Sequence, residues 1–181
     1  ATLAALLLIG TARDETILCE PIVYPGLHNA ARTLGRQLAY VATDGDGMLP
    51  DALSAAARDH GARLVYLNPT LQNPTTRTMP ERRRRELLAI AETLDLTFIE
   101  DDPYWRLALD APPPLARLAP HRVHYVATLS KCLTPGLRTA YVRLASTRQR
   151  DSFLNMLHSF ALMAPPLMTG LATQWIHNGM A

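Results

Sequence analysis

Apolar residues along the chain gather into runs of two kinds. Residues 16–19, 63–67, 96–100 and 123–127 form short runs rich in Ile, Val, Leu or Phe, mostly closed by polar residues or proline. Such runs predict buried strands, and residues 37–42 and 140–144 read the same way. Longer amphipathic or apolar stretches predict helices over residues 1–12, 27–34, 50–60 and 80–94. A further helix runs from about residue 146 to the break at Pro165-Pro166, and another over residues 167–177. Proline falls in the favoured first turn at Pro50 and Pro80, Gly35 ends the second helix, and Asp44-Gly45-Asp46-Gly47 is a turn by composition. Leu87, Leu88, Ala91 and Leu94 share the inner face of the helix over residues 80–94. Strands thus alternate with helices. That order predicts an α/β fold, a three-layer sandwich in which helices cover both faces of a mainly parallel sheet. Ligands in such sheets bind at the carboxyl ends of the strands, and the polar motifs that carry the candidate chemistry fall at such ends.

Composition narrows the picture. The 181 residues suffice for one domain, and 48% apolar with 19% charged residues exclude a disordered chain. A net charge of +2 makes no case for a nucleic-acid surface. Four consecutive arginines, Arg82 to Arg85, point in different directions on a helix between Glu81 and Glu86, so a solvated face is expected. Cys19 and Cys132 sit in apolar or site-adjacent contexts, which fits free thiols and a reducing cytoplasm. No CxxC and no histidine cluster points to a metal, and His28, His60, His121, His124, His158 and His177 share no spacing. The apolar start, residues 1–9, has no basic segment before it and is too short for a membrane span, so a buried helix is expected.

The chemistry concentrates in Thr128-Leu-Ser-Lys-Cys-Leu-Thr-Pro-Gly-Leu-Arg138. Lys131 lies just past a predicted strand, with the hydroxyls of Thr128 and Ser130 before it and Arg138 after it. A lysine nucleophile does carbonyl chemistry, and hydroxyls with an arginine suit a phosphate. An exposed loop lysine is the alternative for that stretch alone. Three other strand ends decide between them. They are Tyr24 after Glu20-Pro21, Gln72-Asn73-Pro74-Thr75-Thr76, and Glu100-Asp101-Asp102-Pro103-Tyr104. An amine, a buried carboxylate, a phenol, an amide and a phosphate-binding arginine are together what a pyridoxal 5'-phosphate site requires. A carboxylate must keep the ring nitrogen protonated, and donors must face the phenolic oxygen.

These motifs, in this order, resemble the large domain of the pyridoxal phosphate-dependent aminotransferases of the aspartate aminotransferase fold. The resemblance implies that Lys131 is the Schiff-base lysine and Asp101 the partner of the pyridinium nitrogen. It makes Asn73 and Tyr104 the donors to the phenolic oxygen, Thr128, Ser130 and Arg138 phosphate ligands, and Tyr24 the aromatic residue stacked on the ring. Catalytic roles would then fall to Lys131, Asp101 and Tyr104. Pro69-Thr-Leu-Gln-Asn-Pro-Thr-Thr76, Thr78-Met-Pro80 and Ser130 to Arg138 look most like the MocR-type regulators, which fuse a GntR-type winged helix to an aminotransferase-like domain. Thr76 and Ala140 depart from the family, standing where glycine is common. The resemblance implies a partial large domain over residues 1–146 and, over 147–181, a helical segment leading to a C-terminal small domain. The glycine-rich phosphate loop is expected before Ala1. Two functions follow. One is a ligand-sensing module whose DNA contact is made by a winged helix outside this chain; the other is an amino acid aminotransferase. Both imply an amino acid or related amine as ligand, a homodimer, no metal and no membrane partner.

Overall fold

The computed structural model describes residues 1–12 and 15–180. Its first strand is β1 (Thr16–Cys19), followed by β2 (Gln37–Tyr40) and a hairpin of β3 (Thr43–Asp44) and β4 (Gly47–Met48). Then come β5 (Leu64–Leu67), β6 (Thr97–Asp101), β7 (Val123–Thr128) and β8 (Ala140–Arg143). Apart from the hairpin they form one sheet in the order β2-β1-β5-β6-β7-β8. Every neighbouring pair is parallel except β7 with β8. All four residues of β5, Leu-Val-Tyr-Leu, are buried, as expected of a central parallel strand covered on both sides.

Among the described residues seven α-helices flank the sheet: α1 (Thr2–Gly10), α2 (Pro25–Thr33), α3 (Pro50–Asp59), α4 (Glu81–Leu94), α5 (Leu115–Leu118), α6 (Arg150–Phe160) and α7 (Pro166–His177). Strand alternation sorts the side chains into two cores. Leu64 and Tyr66 of β5 face α1, α2 and α6, where Leu6, Leu7, Leu27 and Phe153 meet them. Val65 and Leu67 face the other way, against Leu53 of α3, Leu87 of α4 and Leu115 of α5. The expected three-layer α/β sandwich is therefore present. Strand and helix limits shift by a few residues from the expected ones; β6 runs on to Asp101 and α2 begins at Pro25. Among the described residues no helix is long and apolar enough to cross a membrane.

The arginine run departs from expectation. Arg82 and Arg85 reach solvent and pair with Glu86 and Glu81, but Arg83 and Arg84 are buried. Arg84 shares the inner face with Leu87, Leu88 and Ala91, at helical spacing. There it meets polar backbone at the edge of the core. Its guanidinium donates to the carbonyls of Met79 (3.0 Å), Pro69 (3.3 Å) and Pro113 (3.3 Å) and to Thr70 Oγ1 (3.0 Å). It also lies 3.5 Å from Glu100, and neither side chain is exposed. Arg83 in turn grips Asp44 at 2.8 Å and the carbonyls of Gly47 and Met48, closing the β3–β4 hairpin onto α4.

A buried ion pair that loses one partner leaves a charge with no solvent and no counterion. Arg84→Leu is expected to lower the unfolding free energy by roughly 3–5 kcal/mol in urea denaturation. Arg82→Ala, on the solvent side of the same helix, should leave the midpoint within error. Equal effects of the two substitutions would contradict this division of the run.

Candidate functional site

The parallel strands β1, β5, β6 and β7 all end at one edge of the sheet, and β8, running the other way, begins there. Loops from five strands therefore converge, and a cavity of about 460 Å³ lies among them. All eight residues singled out from the sequence line it. Tyr24 comes from the loop after β1, Asn73 from the loop after β5, and Asp101 and Tyr104 from the end of β6. Thr128, Ser130, Lys131 and Arg138 come from the β7–β8 connection. Lys131 is also the chain's single lysine, against many arginines.

Asp101 is held from β5. Tyr66 donates its phenol to Asp101 Oδ2 at 2.6 Å. Burial pushes the Asp101 carboxyl above its usual range, and the Tyr66 bond draws it part of the way back. The Tyr66 phenol is raised well above its ordinary value by burial and then by the adjacent carboxylate, so it stays a donor. Asn68, 4% exposed, also faces the cavity. Its Nδ2 donates to the Asp101 carbonyl at 2.7 Å, and its Oδ1 accepts from the Asn73 N–H at 2.7 Å. Asn73 Nδ2 reaches the Tyr104 hydroxyl at 3.4 Å, so these two polar groups share one wall.

The β7–β8 connection is built on its own hydroxyls. Thr128 Oγ1 accepts the Ser130 N–H at 3.1 Å and lies 2.8 Å from the Thr139 carbonyl. Ser130 Oγ donates to the Leu137 carbonyl. Holding an anion through either hydroxyl requires its proton to turn away from these carbonyls. Lys131 and Arg138 are exposed, with no carboxylate partner among the described residues. Cys132 Sγ sits 3.8 Å from the Pro103 carbonyl, and both cysteines are free. Cys19 is buried, which pushes its thiol up to about 12. Trp105 is not on the cavity; it packs under the Arg106 guanidinium at 4.5 Å.

Two local backbone features shape the walls. A Cβ at Gly26 would fall 2.1 Å from the Tyr24 ring, so glycine there lets the ring lie against the first turn of α2. Thr76, which replaces a common glycine, has φ of 59°, a left-handed conformation that glycine adopts without strain and a β-branched residue does not. Gln72 anchors the same loop, donating to the Ile22 carbonyl at 2.6 Å and accepting from the Thr75 N–H at 2.9 Å.

On the opposite face of β6 lies a second polar group. Glu100 accepts the N–H groups of Leu115 and Ala116, each at 2.9 Å, and faces Arg84. Burial pushes its carboxyl up to about 7 against the pull of those donors. Asp102 Oδ2 accepts the Tyr125 hydroxyl at 2.9 Å, while its Oδ1 has no hydrogen-bond partner among the described residues. Sequence reasoning singled out neither Tyr66 nor Asn68. The available signal was their spacing: two residues apart at the end of a strand, they point to the face that Asp101 uses.

The fold and the site define an aminotransferase-type protein, and comparison with known proteins agrees. The model of aminotransferase class I and II matches residues 1–179, and the chain belongs to that family. It is 35% identical over 177 residues to YdeF, an uncharacterized HTH-type transcriptional regulator of Bacillus subtilis, covering 97% of this chain and 37% of YdeF. It is 35% identical over 173 residues to the aminotransferase swnA of Metarhizium robertsii, covering 87% of this chain and 34% of that protein. Among solved structures it is similar to LysN, the alpha-aminoadipate aminotransferase of Thermus thermophilus complexed with N-(5'-phosphopyridoxyl)-L-leucine. The TM-score is 0.90 at 27% identity, over 99% of this chain and 48% of LysN. The chain thus spans about a third of the length of these curated relatives.

The carboxylates give a pH prediction. Burial raises Asp102 from an ordinary 3.8 to about 6. The folded state holds a proton there that the unfolded chain releases, so this contribution is present below about pH 4 and lost as pH rises through about 6. His124 acts oppositely, since burial lowers it from 6.5 to about 4 and stability falls as pH drops through that window. Subtracting wild type from Asp102→Asn cancels the histidine. The variant's relative stability should rise by up to about 3 kcal/mol between pH 4 and 7, read from urea unfolding at each pH. A difference that is flat with pH would contradict the burial argument.

Proposed function

We propose that this chain is the pyridoxal phosphate-binding, effector-sensing domain of a MocR/GntR-type transcriptional regulator. The observation that carries the cofactor reading is the chain's one lysine, Lys131, on the same cavity as the half-buried carboxylate Asp101. The residues present fit the group. Asp101 is half-buried, has a single side-chain donor among the described residues in Tyr66, and opens onto the cavity, as a carboxylate waiting for a cationic ring nitrogen would. Asn73 and Tyr104 offer an amide and a phenol for the phenolic oxygen. Arg138, with the hydroxyls of Thr128 and Ser130, would hold the phosphate. The Tyr24 ring would cover one face of the pyridine.

Bound there, pyridoxal phosphate supplies an aldehyde that reacts with amines and a ring that withdraws electrons from them. The chain's own residues do the rest. Asp101 would keep a proton on the ring nitrogen, because a carboxylate shielded from water is stabilised by a cation beside it. Lys131 Nζ, on the same cavity, would hold the aldehyde and could serve as the base for a proton at the ligand's α-carbon. Tyr104 would donate at the phenolic oxygen.

In the regulator reading, an amino acid or related amine entering this cavity favours one arrangement of domains over another and so changes DNA affinity. The DNA contact belongs to a winged helix outside this chain. The identity to YdeF across 97% of the chain supports this reading. A homodimer working in the cytoplasm is part of the proposal, and the two free thiols fit that compartment. The second reading, an amino acid aminotransferase passing an amino group to a 2-oxo acid, is favoured by the match to swnA and by Lys131, Asp101 and Tyr104 all lining one cavity.

The test uses full-length protein incubated with pyridoxal phosphate, fixed with borohydride and mapped by peptide mass. The label is expected on the Lys131 peptide. Lys131→Ala should abolish both the label and the visible absorption, while noncovalent binding through Arg138 persists. A label elsewhere would overturn the site assignment. Amino acid-dependent change in DNA binding without turnover of 2-oxo acids supports the regulator, and steady turnover without it supports the enzyme.

A further inference from the structure

The two ends of the candidate cofactor site are delivered by different strands. Asp101 closes β6, and Asn73 sits five residues beyond Asn68 in the loop after β5. Nothing in either strand fixes the separation between them, because the ladder of β5 and β6 stops at Leu67 opposite Glu100. Asn68 is the next residue and stands level with Asp101. Its side chain, not its backbone, makes the connection: Nδ2 to the Asp101 carbonyl and Oδ1 from the Asn73 N–H, both at 2.7 Å. An amide is suited to this place because it presents one donor and one acceptor on a rigid plane. At 4% exposure, water has little access to replace either bond.

We propose that Asn68 is a positioning residue that sets the distance between Asp101 and Asn73, and so the fit of the cofactor's ring-nitrogen end against its phenolic-oxygen end. The inference rests on the pyridoxal phosphate reading for its consequence, but the clamp itself is a property of the protein alone. Both bonds of the clamp end on backbone atoms, so substitution of Asn68 frees the Asn73 N–H and the Asp101 carbonyl, while Gln72 still anchors the rest of the loop and the side chains of Asp101 and Asn73 are unchanged. Tyr66, on the same face of β5, holds the Asp101 carboxylate, so one strand end orients both the main chain and the side chain of that residue.

Two measurements on full-length protein test this. The first is amide hydrogen exchange at Asn73 in cofactor-free protein. Asn68→Ala should speed it by about tenfold or more, since one hydrogen bond is lost. Asn68→Asp, which keeps the acceptor, should leave it protected. Unchanged exchange in Asn68→Ala would overturn the clamp. The second is a fluorescence titration with pyridoxal phosphate. Asn68→Ala should weaken binding about tenfold, and in the Asn73→Ala background its effect should shrink, because the two act through one contact. Fully multiplicative losses would overturn the proposal. If Asn68→Ala does not fold, Asn68→Ser, too short to span both partners, carries the same test. Wild-type protein that fails to bind pyridoxal phosphate would overturn the cofactor reading, and the Asn73 exchange data would still decide for or against the clamp.

Discussion

Three consecutive carboxylates, Glu100, Asp101 and Asp102, lie at the end of β6, two of them buried and Asp101 half-buried, and shielding them from water constrains everything around them. Glu100 has no exposure and Asp102 has 3%. A charge taken from water at this depth costs several kcal/mol unless donors replace the solvent. Strand alternation sends the three to opposite faces, so each needs its own donors. Asp101 has Tyr66 from β5. Asp102 has Tyr125 from β7. Glu100 has Arg84 from α4 and the two N–H groups that begin α5. The register of two strands, the rotation of α4 and the start of α5 are tied to one tripeptide.

The division between faces is also a division of labour. On one side, Arg84 joins α4 to the carbonyls of Pro69, Met79 and Pro113, so the polar group beneath the sheet braces the loop that carries Asn73. On the other, Asp101 opens onto the cavity with Lys131 and Arg138. The single antiparallel strand matters here. Because β8 enters the sheet at the edge where β7 leaves it, one short connection places Thr128, Lys131 and Arg138 around the same space.

Much of this was legible in the residues. The apolar runs marked the strands of the main sheet and put the polar motifs at one edge, while the family resemblance singled out Asp101, Asn73 and Lys131 within them. The buried arginines were not legible. A run of Arg82 to Arg85 beside glutamates reads as a solvated face, and only the positions of three loop carbonyls and Asp44 make the inner two buried donors. Asn68 and Tyr66 were hidden for another reason. Their composition is that of any strand end, and their role depends on register with β6, which one strand's sequence does not contain. Thr76 was noticed as a departure from glycine, and its left-handed backbone supplies the physical meaning of that position.

The central claim is that Asp101, a half-buried residue whose carboxylate is held by Tyr66 and whose main-chain carbonyl is held by Asn68, would keep a proton on the ring nitrogen of pyridoxal phosphate. Nitrogen NMR of full-length protein loaded with cofactor labelled at that nitrogen reads the proton directly. The account predicts a pyridinium-type shift in wild type that moves to a neutral pyridine-type shift in Asp101→Ala. A neutral nitrogen in the wild-type protein would contradict it.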